Sequence, residues 1–285
     1  MNNIFRDLIN KEDVTTFIDD VLVGMETEEG HDELVEKILR RLEEHNLYVK
    51  PEKYKWKVQK VGFLRVVIGP DGIKMEKEKV RSVLEWPTPR YVKDIQKFLE
   101  LTNYYRRFIK DFAEIARPMY RLVQKQEKWN WGSEQEEAFR RLKEIFTSEL
   151  VLATPDLDKE IRMKANVSDY AIGGVLSMKC KDKRWRPVAY ISKSLSNTEK
   201  NYEIHDKEML AVIRFLEAWR HFLEGARIKF EVWTDYKNLE YFMCSQKLNR
   251  RQAQWALFLF CFDFKLVHVP STKIGKADGL SRQPD

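Results

Sequence analysis

The sequence pattern of the C-terminal half predicts the order of its strands and helices more completely than that of any other stretch. From residue 150 onward, three strand-like segments come first, and a long helical pattern follows in which Ser196 and Glu199 form a capping box. The next segments predict a strand ending in Asp235, a helix, another strand and a polar terminal helix or tail. In order, these are IRMKANVS, GGVLSMK, RPVAYISK, RIKFEVWTD, NRRQAQWALFLF, FKLVHV and KADGLSRQPD. This order is typical of a mixed α/β domain.

The first 90 residues have a different pattern. TTFIDDVLV, at 15 to 23, predicts an apolar hairpin in which Asp19 and Asp20 stand side by side. Adjacent carboxylates in an apolar run are costly unless a cation or a turn accommodates them, so the pair is either a cation site or a plain turn. A helix is expected from Asp32 to Glu44.

A basic strip follows that helix. In KYKWKVQKVGFLRVVI the lysines Lys53, Lys55 and Lys57 alternate with apolar residues, which predicts a strand with its lysines on one face. That face is either solvated or in contact with a nucleic-acid backbone.

WPTPR, at 86 to 90, marks a boundary because its two prolines interrupt any helix. Apolar residues at helical spacing then continue to about residue 148, which predicts a small helical unit. Its Tyr105 and Arg106 are candidates for contact with nucleic acid, although aromatic residues at this spacing are more often part of a core.

Composition narrows the class of protein. The 285 residues include 51 Lys and Arg against 45 Asp and Glu, a formal net charge of +6, which favours a polyanionic partner. The three cysteines show no CxxC spacing, which argues against a disulfide framework or a zinc site. No run of 18 apolar residues and no signal-peptide pattern occurs, so we expect an intracellular protein, in the cytoplasm or nucleus, without a membrane anchor.

Three acids are candidates for chemistry in the C-terminal half. Glu208 lies on the long helix, Asp235 closes a strand, and Asp278 lies in KADGLSR. Taken singly, each is typical of a surface acid. Together they could converge at the open edge of a sheet, where two magnesium ions would clamp the attacking and departing oxygens of a phosphodiester.

Several longer stretches carry a family resemblance. FIDDVLV, KPEKYKWKVQKVGFL, GIKMEKEKVRSVLEWPTPR, LTNYYRRFIKDFAEIARPM, SDYAIGGVLSM, RPVAYISKSLSNTEKNYEIHDKEMLAV and FEVWTDYKNLEYF resemble the polymerase and ribonuclease H portion of a gypsy-type long-terminal-repeat retrotransposon polyprotein. The resemblance covers nearly the whole chain. It implies an α+β and α/β multidomain fold: the C-terminal half of a reverse transcriptase palm at 1–90, a helical thumb at 91–148 and a ribonuclease H-like domain at 149–285.

For the polymerase, the resemblance assigns Asp19 and Asp20 to the metal-binding active site, together with a third aspartate on an earlier palm strand. That strand and the fingers would precede Met1. We therefore expect no autonomous polymerase activity, because two carboxylates without the third ligand and a nucleotide pocket cannot position phosphoryl transfer. Arg65 and Glu100 stand where the family usually has glycine.

For the ribonuclease H, the resemblance implies four acids that hold two Mg²⁺ or Mn²⁺ ions, and three of them match Glu208, Asp235 and Asp278. The first acid falls on Asn166. Asparagine keeps the shape and a carbonyl oxygen but lacks the negative charge. If this weakens transition-state stabilisation by ~4 kcal/mol, the rate falls roughly a thousandfold. Asp169 is not expected to substitute, and the sequence does not separate natural loss of the acid from a deliberate change.

Two functions remain open from the sequence. One is a reverse transcriptase and ribonuclease H fragment whose hydrolysis of RNA in RNA-DNA hybrids is weakened by Asn166. The other is a non-catalytic nucleic-acid-binding or scaffold protein derived from a retroelement. Beside these two functions, the sequence also leaves open a relic reading frame without a selected role. The expected partner is an RNA-DNA hybrid or other duplex nucleic acid, and the resemblance also allows a homodimer.

Overall fold

The computed structural model describes residues 1, 3–9, 14–25, 27–125, 127–148, 150–224, 226–235 and 248–269. The chain divides into two compact units, residues 1–70 and 71–285. The domain boundaries expected at 90 and 148 stay predictions.

The first unit is built on a hairpin and one long helix. Strands β1 and β2 pair antiparallel from Val14 opposite Val23 to Phe17 opposite Asp20, which confirms the expected hairpin. The long helix is capped at Thr27, whose hydroxyl accepts a hydrogen bond from the Gly30 amide at 3.3 Å. The elements are α1 (Arg6–Ile9), β1 (Val14–Phe17), β2 (Asp20–Val23), α2 (Glu28–Glu44), a 3₁₀ turn (Pro51–Lys53), β3 (Val61–Phe63) and β4 (Val66–Gly69). The core formed by α1, the hairpin and α2 contains Phe5, Leu8, Val14, Ile38 and Leu42.

The predicted lysine-bearing strand is wrong. Pro51–Lys53 forms a 3₁₀ turn, and the strands of this region are confined to Val61–Phe63 and Val66–Gly69. Lys57 has a left-handed backbone (φ 47°), which is incompatible with strand alternation. Its ammonium also pairs with the Asp32 carboxylate at 2.8 Å. Lys53, Lys55 and Lys57 therefore do not line one face of a strand.

The second unit begins with β5 and a group of helices. Gly72 (φ 117°) opens β5, and a Cβ there would lie 2.2 Å from the Leu152 carbonyl oxygen, so only glycine fits. The helices pack around aromatic side chains, including Phe98 against Phe139 at 4.6 Å between ring centroids. The elements are β5 (Gly72–Met75), α3 (Lys77–Leu84), α4 (Val92–Tyr104), a 3₁₀ turn (Arg106–Phe108), α5 (Phe112–Ile115), α6 (Arg117–Leu122), α7 (Ser133–Thr147) and β6 (Val151–Leu152).

A five-stranded mixed sheet follows in the same unit, with strand order β11–β10–β7–β8–β9. β7, β8 and β9 are antiparallel neighbours, whereas β10 runs parallel to both β7 and β11. The elements are β7 (Ile161–Val167), β8 (Ala171–Lys179), β9 (Trp185–Ser194), α8 (Asn197–Lys200), α9 (Ile204–Ala218), α10 (Arg220–Leu223), β10 (Phe230–Thr234), α11 (Arg250–Leu259) and β11 (Phe264–His268). The order predicted from the sequence is confirmed up to β11; the tail predicted at 276–285 lies outside the described residues.

The sheet and α9 share one hydrophobic core. In β7, Met163 and Ala165 are fully buried and belong to the same cluster as Val212 and Phe215 of α9. The predicted capping box is confirmed, since the Ser196 amide donates to Glu199 Oε2 at 2.8 Å and the Glu199 amide to Ser196 Oγ at 3.3 Å. It opens the short α8, however, and α9 begins separately at Ile204.

None of the helices within the described ranges has both the length and the apolar character that crossing a bilayer requires.

Candidate functional site

The site lies where β7 and β10 end side by side. The two strands are parallel neighbours, with Glu231 beside Arg162 and Trp233 beside Lys164. Two residues further along each strand come Asp235 and Asn166. The fold therefore brings these two residues to the same edge of the sheet.

Glu208 approaches this edge from α9. It continues the buried face that Val212 and Phe215 form further along the helix, and only 4% of the residue is exposed. The Thr234 hydroxyl donates a hydrogen bond to Glu208 Oε2 at 3.4 Å. A carboxyl group is thus held in largely apolar surroundings directly under the end of β10.

The Glu208 and Asp235 carboxyl groups are coupled. Burial is the main cause that raises the pKa of Glu208, and the charge of Asp235 and a hydrogen bond to its carboxyl group add to it, whereas the Thr234 hydroxyl lowers it. The result is a pKa of about 8. Without a cation, Glu208 therefore holds a proton at neutral pH, and its carboxyl group can donate a hydrogen bond to the half-buried Asp235.

Asn166, near the end of β7, presents an exposed amide at this edge of the sheet. It pairs across the sheet with Gly173 of β8. Its carbonyl oxygen can accept a hydrogen bond or ligate a cation, and its NH₂ group can only donate. The position therefore contributes an oxygen atom to the site without contributing charge.

A helical segment covers the sheet beside Asn166. A Cβ on Gly173 would lie 2.9 Å from Asp111 Oδ1, so glycine there lets the segment approach closely. The Ala113 amide donates to Ser192 Oγ at 3.0 Å, and the Arg106 guanidinium donates to the Ser192 carbonyl oxygen. These contacts fix residues 106–117 against β8 and β9.

The residues predicted to contact nucleic acid have different surroundings. Tyr105 is fully buried and packs edge-on against Phe146 at 6.0 Å between centroids. It therefore lacks the surface that contact with a nucleic-acid backbone requires. The Arg106 guanidinium donates to the Ser192 carbonyl oxygen and to the Asn103 side chain. The first of these hydrogen bonds holds the 3₁₀ turn Arg106–Phe108 against β9.

The predicted polymerase acids are in the first unit. Asp19 lies in the turn between β1 and β2 and Asp20 begins β2, and both are exposed. Asp278, the third predicted ribonuclease H acid, lies outside the described residues. Within the described ranges, no three His, Cys, Asp or Glu side chains are close enough to hold a metal ion.

The donor set nevertheless fits a hard divalent cation. Mg²⁺ and Mn²⁺ prefer carboxylate and carbonyl oxygens, which Glu208, Asp235 and Asn166 supply. A buried carboxyl group that retains its proton beside a second carboxylate is a place where a cation can replace that proton. The charge at this edge is one carboxylate smaller than if residue 166 were aspartate.

Three contacts at the site have no local signature in the sequence. Thr234 hydrogen-bonds Glu208, and His268 Nε2 lies 3.0 Å from the Asp235 carbonyl oxygen, to which it donates. The Arg117 guanidinium stacks on the Tyr170 ring, with Cζ 3.3 Å from the ring centroid. Each joins residues that are far apart in the chain, so spacing alone does not reveal them.

Two family models match the chain. Residues 1–68 match the model described as reverse transcriptase (RNA-dependent DNA polymerase). Residues 131–232 match the RNase H-like domain found in reverse transcriptase, a range that includes Asn166 and Glu208.

Among curated proteins, the chain is similar to transposon polyproteins of Schizosaccharomyces pombe. It is 34% identical to the transposon Tf2-3 polyprotein over 274 residues, which is 95% of this chain and 21% of that protein. It is 33% identical to the transposon Tf2-7 polyprotein over 279 residues, 97% of this chain and 21% of that protein. The chain thus spans about a fifth of the length of these curated relatives.

Solved structures with the same fold come from foamy virus. The foamy viral protease-reverse transcriptase in complex with an RNA/DNA hybrid superposes with a TM-score of 0.78 at 21% identity, covering 100% of this chain and 38% of that one. The foamy viral protease-reverse transcriptase dRH, in complex with double-stranded DNA, superposes with a TM-score of 0.76, covering 94% of this chain and 47% of that one. Residues 1–68 thus resemble a reverse transcriptase, residues 131–232 resemble the RNase H-like domain found in reverse transcriptases, and the foamy viral structures share the fold of the chain.

Proposed function

We propose that this chain is a portion of a gypsy-type retrotransposon polyprotein whose RNase H-like domain binds RNA-DNA hybrids and hydrolyses the RNA strand only weakly. The observation that carries this proposal is the coupled Glu208–Asp235 carboxyl pair at the strand edge that also holds Asn166. The similarity to transposon polyproteins and the fold shared with the foamy viral protein support it.

Each residue has a distinct role in this proposal. Glu208 and Asp235, with Asp278 by resemblance, would hold Mg²⁺ or Mn²⁺, and Thr234 favours the ionised form of Glu208. When bound, such ions activate water and neutralise charge on the phosphodiester. Asn166 offers a neutral oxygen where an aspartate would add a charge, so it weakens both cation binding and stabilisation of the transition state.

Restoring the charge tests the proposal. In a cleavage assay with labelled RNA annealed to DNA, in Mg²⁺ and in Mn²⁺, we expect Asn166→Asp to raise the rate roughly a thousandfold, equivalent to about 4 kcal/mol. Asn130→Asp adds the same charge on an exposed loop residue and should leave the rate unchanged. An Asn166→Asp protein that is folded, binds hybrid and cleaves no faster than the wild type would refute the site assignment.

A second function is favoured by the same asparagine. A chain with a net charge of +6 and a weakened site can act as a non-catalytic nucleic-acid-binding or scaffold protein. Binding to hybrid at low salt with no cleavage by Asn166→Asp would favour this alternative. Absence of binding even at low salt, where phosphate contacts are strongest, would exclude it. An intracellular location and pairing as a homodimer belong to the proposal as well.

A further inference from the structure

Arg117 and Tyr170 form a stacked pair beside the candidate site. The Arg117 Cζ atom lies 3.3 Å from the centroid of the Tyr170 ring, and 42% of Tyr170 is exposed. A guanidinium held flat on an aromatic ring keeps its in-plane N–H donors available at the edge of the stack. Arg117 itself is half-buried, and the ring restricts the planes that its guanidinium can adopt.

The pair lies at the same end of the sheet as Asn166. Tyr170 belongs to the turn that joins β7 to β8, immediately after the strand that carries Asn166. Its position is fixed, because the Leu195 amide donates to the Tyr170 carbonyl oxygen at 2.8 Å and the Ala171 amide donates to Ser168 Oγ at 3.2 Å. A rigid turn thus holds the ring at the rim of the site.

Comparison with Arg162 shows what is unusual about Arg117. Arg162 also stacks on aromatic rings, with Cζ 3.8 Å from Trp185 and 3.7 Å from Trp233. Its charge, however, is neutralised by the Glu231 carboxylate, 2.9 Å from Arg162 Nε. In the part of the chain that the structure describes, no ion pair joins Arg117 to a carboxylate. Arg117 thus retains both its charge and the geometry that suits an external anion.

We propose that Arg117, oriented by Tyr170, binds a backbone phosphate of the nucleic acid held at the Asn166 site. This inference rests on the proposed function, since it assigns a phosphate contact to the same hybrid-binding surface. The planar guanidinium matches phosphate oxygens with two parallel hydrogen bonds, which an ammonium cannot reproduce. The Tyr170 ring limits the orientations of the guanidinium and so places the phosphate next to the strand end.

The experiment measures hybrid affinity as a function of salt. Fluorescence anisotropy with a labelled RNA-DNA hybrid, from about 50 to 200 mM NaCl, gives the slope of log affinity against log salt. The magnitude of this slope falls by about one for each phosphate that a variant no longer neutralises. We expect Arg117→Ala to reduce it by about one and to weaken binding roughly fivefold to tenfold at the lowest salt. Compared with the wild type, Arg117→Lys should keep part of the affinity and Tyr170→Phe nearly all of it. Tyr170→Ala should bind about as tightly as Arg117→Lys.

The control is Arg140→Ala, which removes the same charge. Arg140 is exposed on α7 and is paired with Glu137 and Glu144, so its removal should leave both slope and affinity unchanged. Unfolding curves identify any variant that does not fold. If Arg117→Ala or Tyr170→Ala does not fold, the conservative variants Arg117→Lys and Tyr170→Phe still test the phosphate contact.

The possible failures are distinguishable. If the wild type binds hybrid and folded Arg117→Ala shows the same slope, the phosphate contact is refuted and the proposed function stands. If Arg117→Ala and Arg140→Ala weaken binding equally, the effect is general charge and the phosphate contact is refuted as well. If the wild type does not bind hybrid at any salt concentration, the proposed function fails and this inference fails with it.

Discussion

Two pairs of carboxylates in this chain have opposite surroundings. Asp19 and Asp20 are neighbours in the sequence, yet both are exposed at the β1–β2 hairpin. Glu208 and Asp235 come from a helix and a strand, yet their carboxyl groups share a hydrogen bond, and Glu208 is almost fully buried. Burial and tertiary contact, and not adjacency in the chain, create a coupled pair whose protonation responds to its environment.

The largest expected consequence of this difference is in the pH dependence of stability. Folding raises the pKa of Glu208 from 4.5 to about 8, so between these values the folded state keeps a proton that the unfolded state has released. The free energy of unfolding should therefore be highest, as far as this group is concerned, below pH 4.5 and should fall as the pH rises toward 8. The full effect is on the order of 5 kcal/mol.

Urea unfolding in metal-free buffer between about pH 5 and pH 8 measures this slope. Glu208→Gln cannot ionise and should abolish it, whereas the double variant Asp19→Asn with Asp20→Asn should keep the wild-type slope because those side chains are exposed. An equal reduction of slope in both variants would show that the two pairs do not differ as described.

A smaller effect isolates one hydrogen bond within the buried pair. The Thr234 hydroxyl stabilises the ionised form of Glu208, so Thr234→Val should raise the pKa of Glu208 further. The midpoint of the pH-dependent decrease in stability would move upward by the same amount. Thr102→Val is the matched control, since Thr102 is also buried but donates to the Phe98 carbonyl oxygen within α4. An unshifted midpoint in Thr234→Val would remove Thr234 from the site.

Local patterns predicted most of the second unit. The Ser196–Glu199 capping box, the strand that carries Asn166 and the strand predicted to end in Asp235 all follow from alternation and capping signals, and the structure contains them, with the last strand ending at Thr234. The prediction of a strand with its lysines on one face was wrong for a local reason as well. Pro51 starts a 3₁₀ turn and Lys57 adopts a left-handed backbone, and neither is visible in the alternation of lysines with apolar residues.

The site was predictable only in part. The order of elements predicted that Glu208, Asp235 and Asp278 could converge, and the family resemblance placed Asn166 at the position of a fourth acid. The coupling of Glu208 to Asp235 depends on how deeply α9 is buried, and the Arg117–Tyr170 stack depends on how a helical segment lies against a hairpin turn. These are tertiary distances, which periodicity within one element does not determine.

Cation binding tests the central claim most directly, namely that the carboxyl pair forms a metal site weakened by the missing charge of Asn166. Titration calorimetry with Mn²⁺ at about pH 8 should show Asn166→Asp binding at least about tenfold more tightly than the wild type, because affinity rises with the number of charged ligands. Adding Glu208→Gln to Asn166→Asp should remove that gain. Equal Mn²⁺ affinity with asparagine and aspartate at position 166, in proteins that are both folded, would contradict the account.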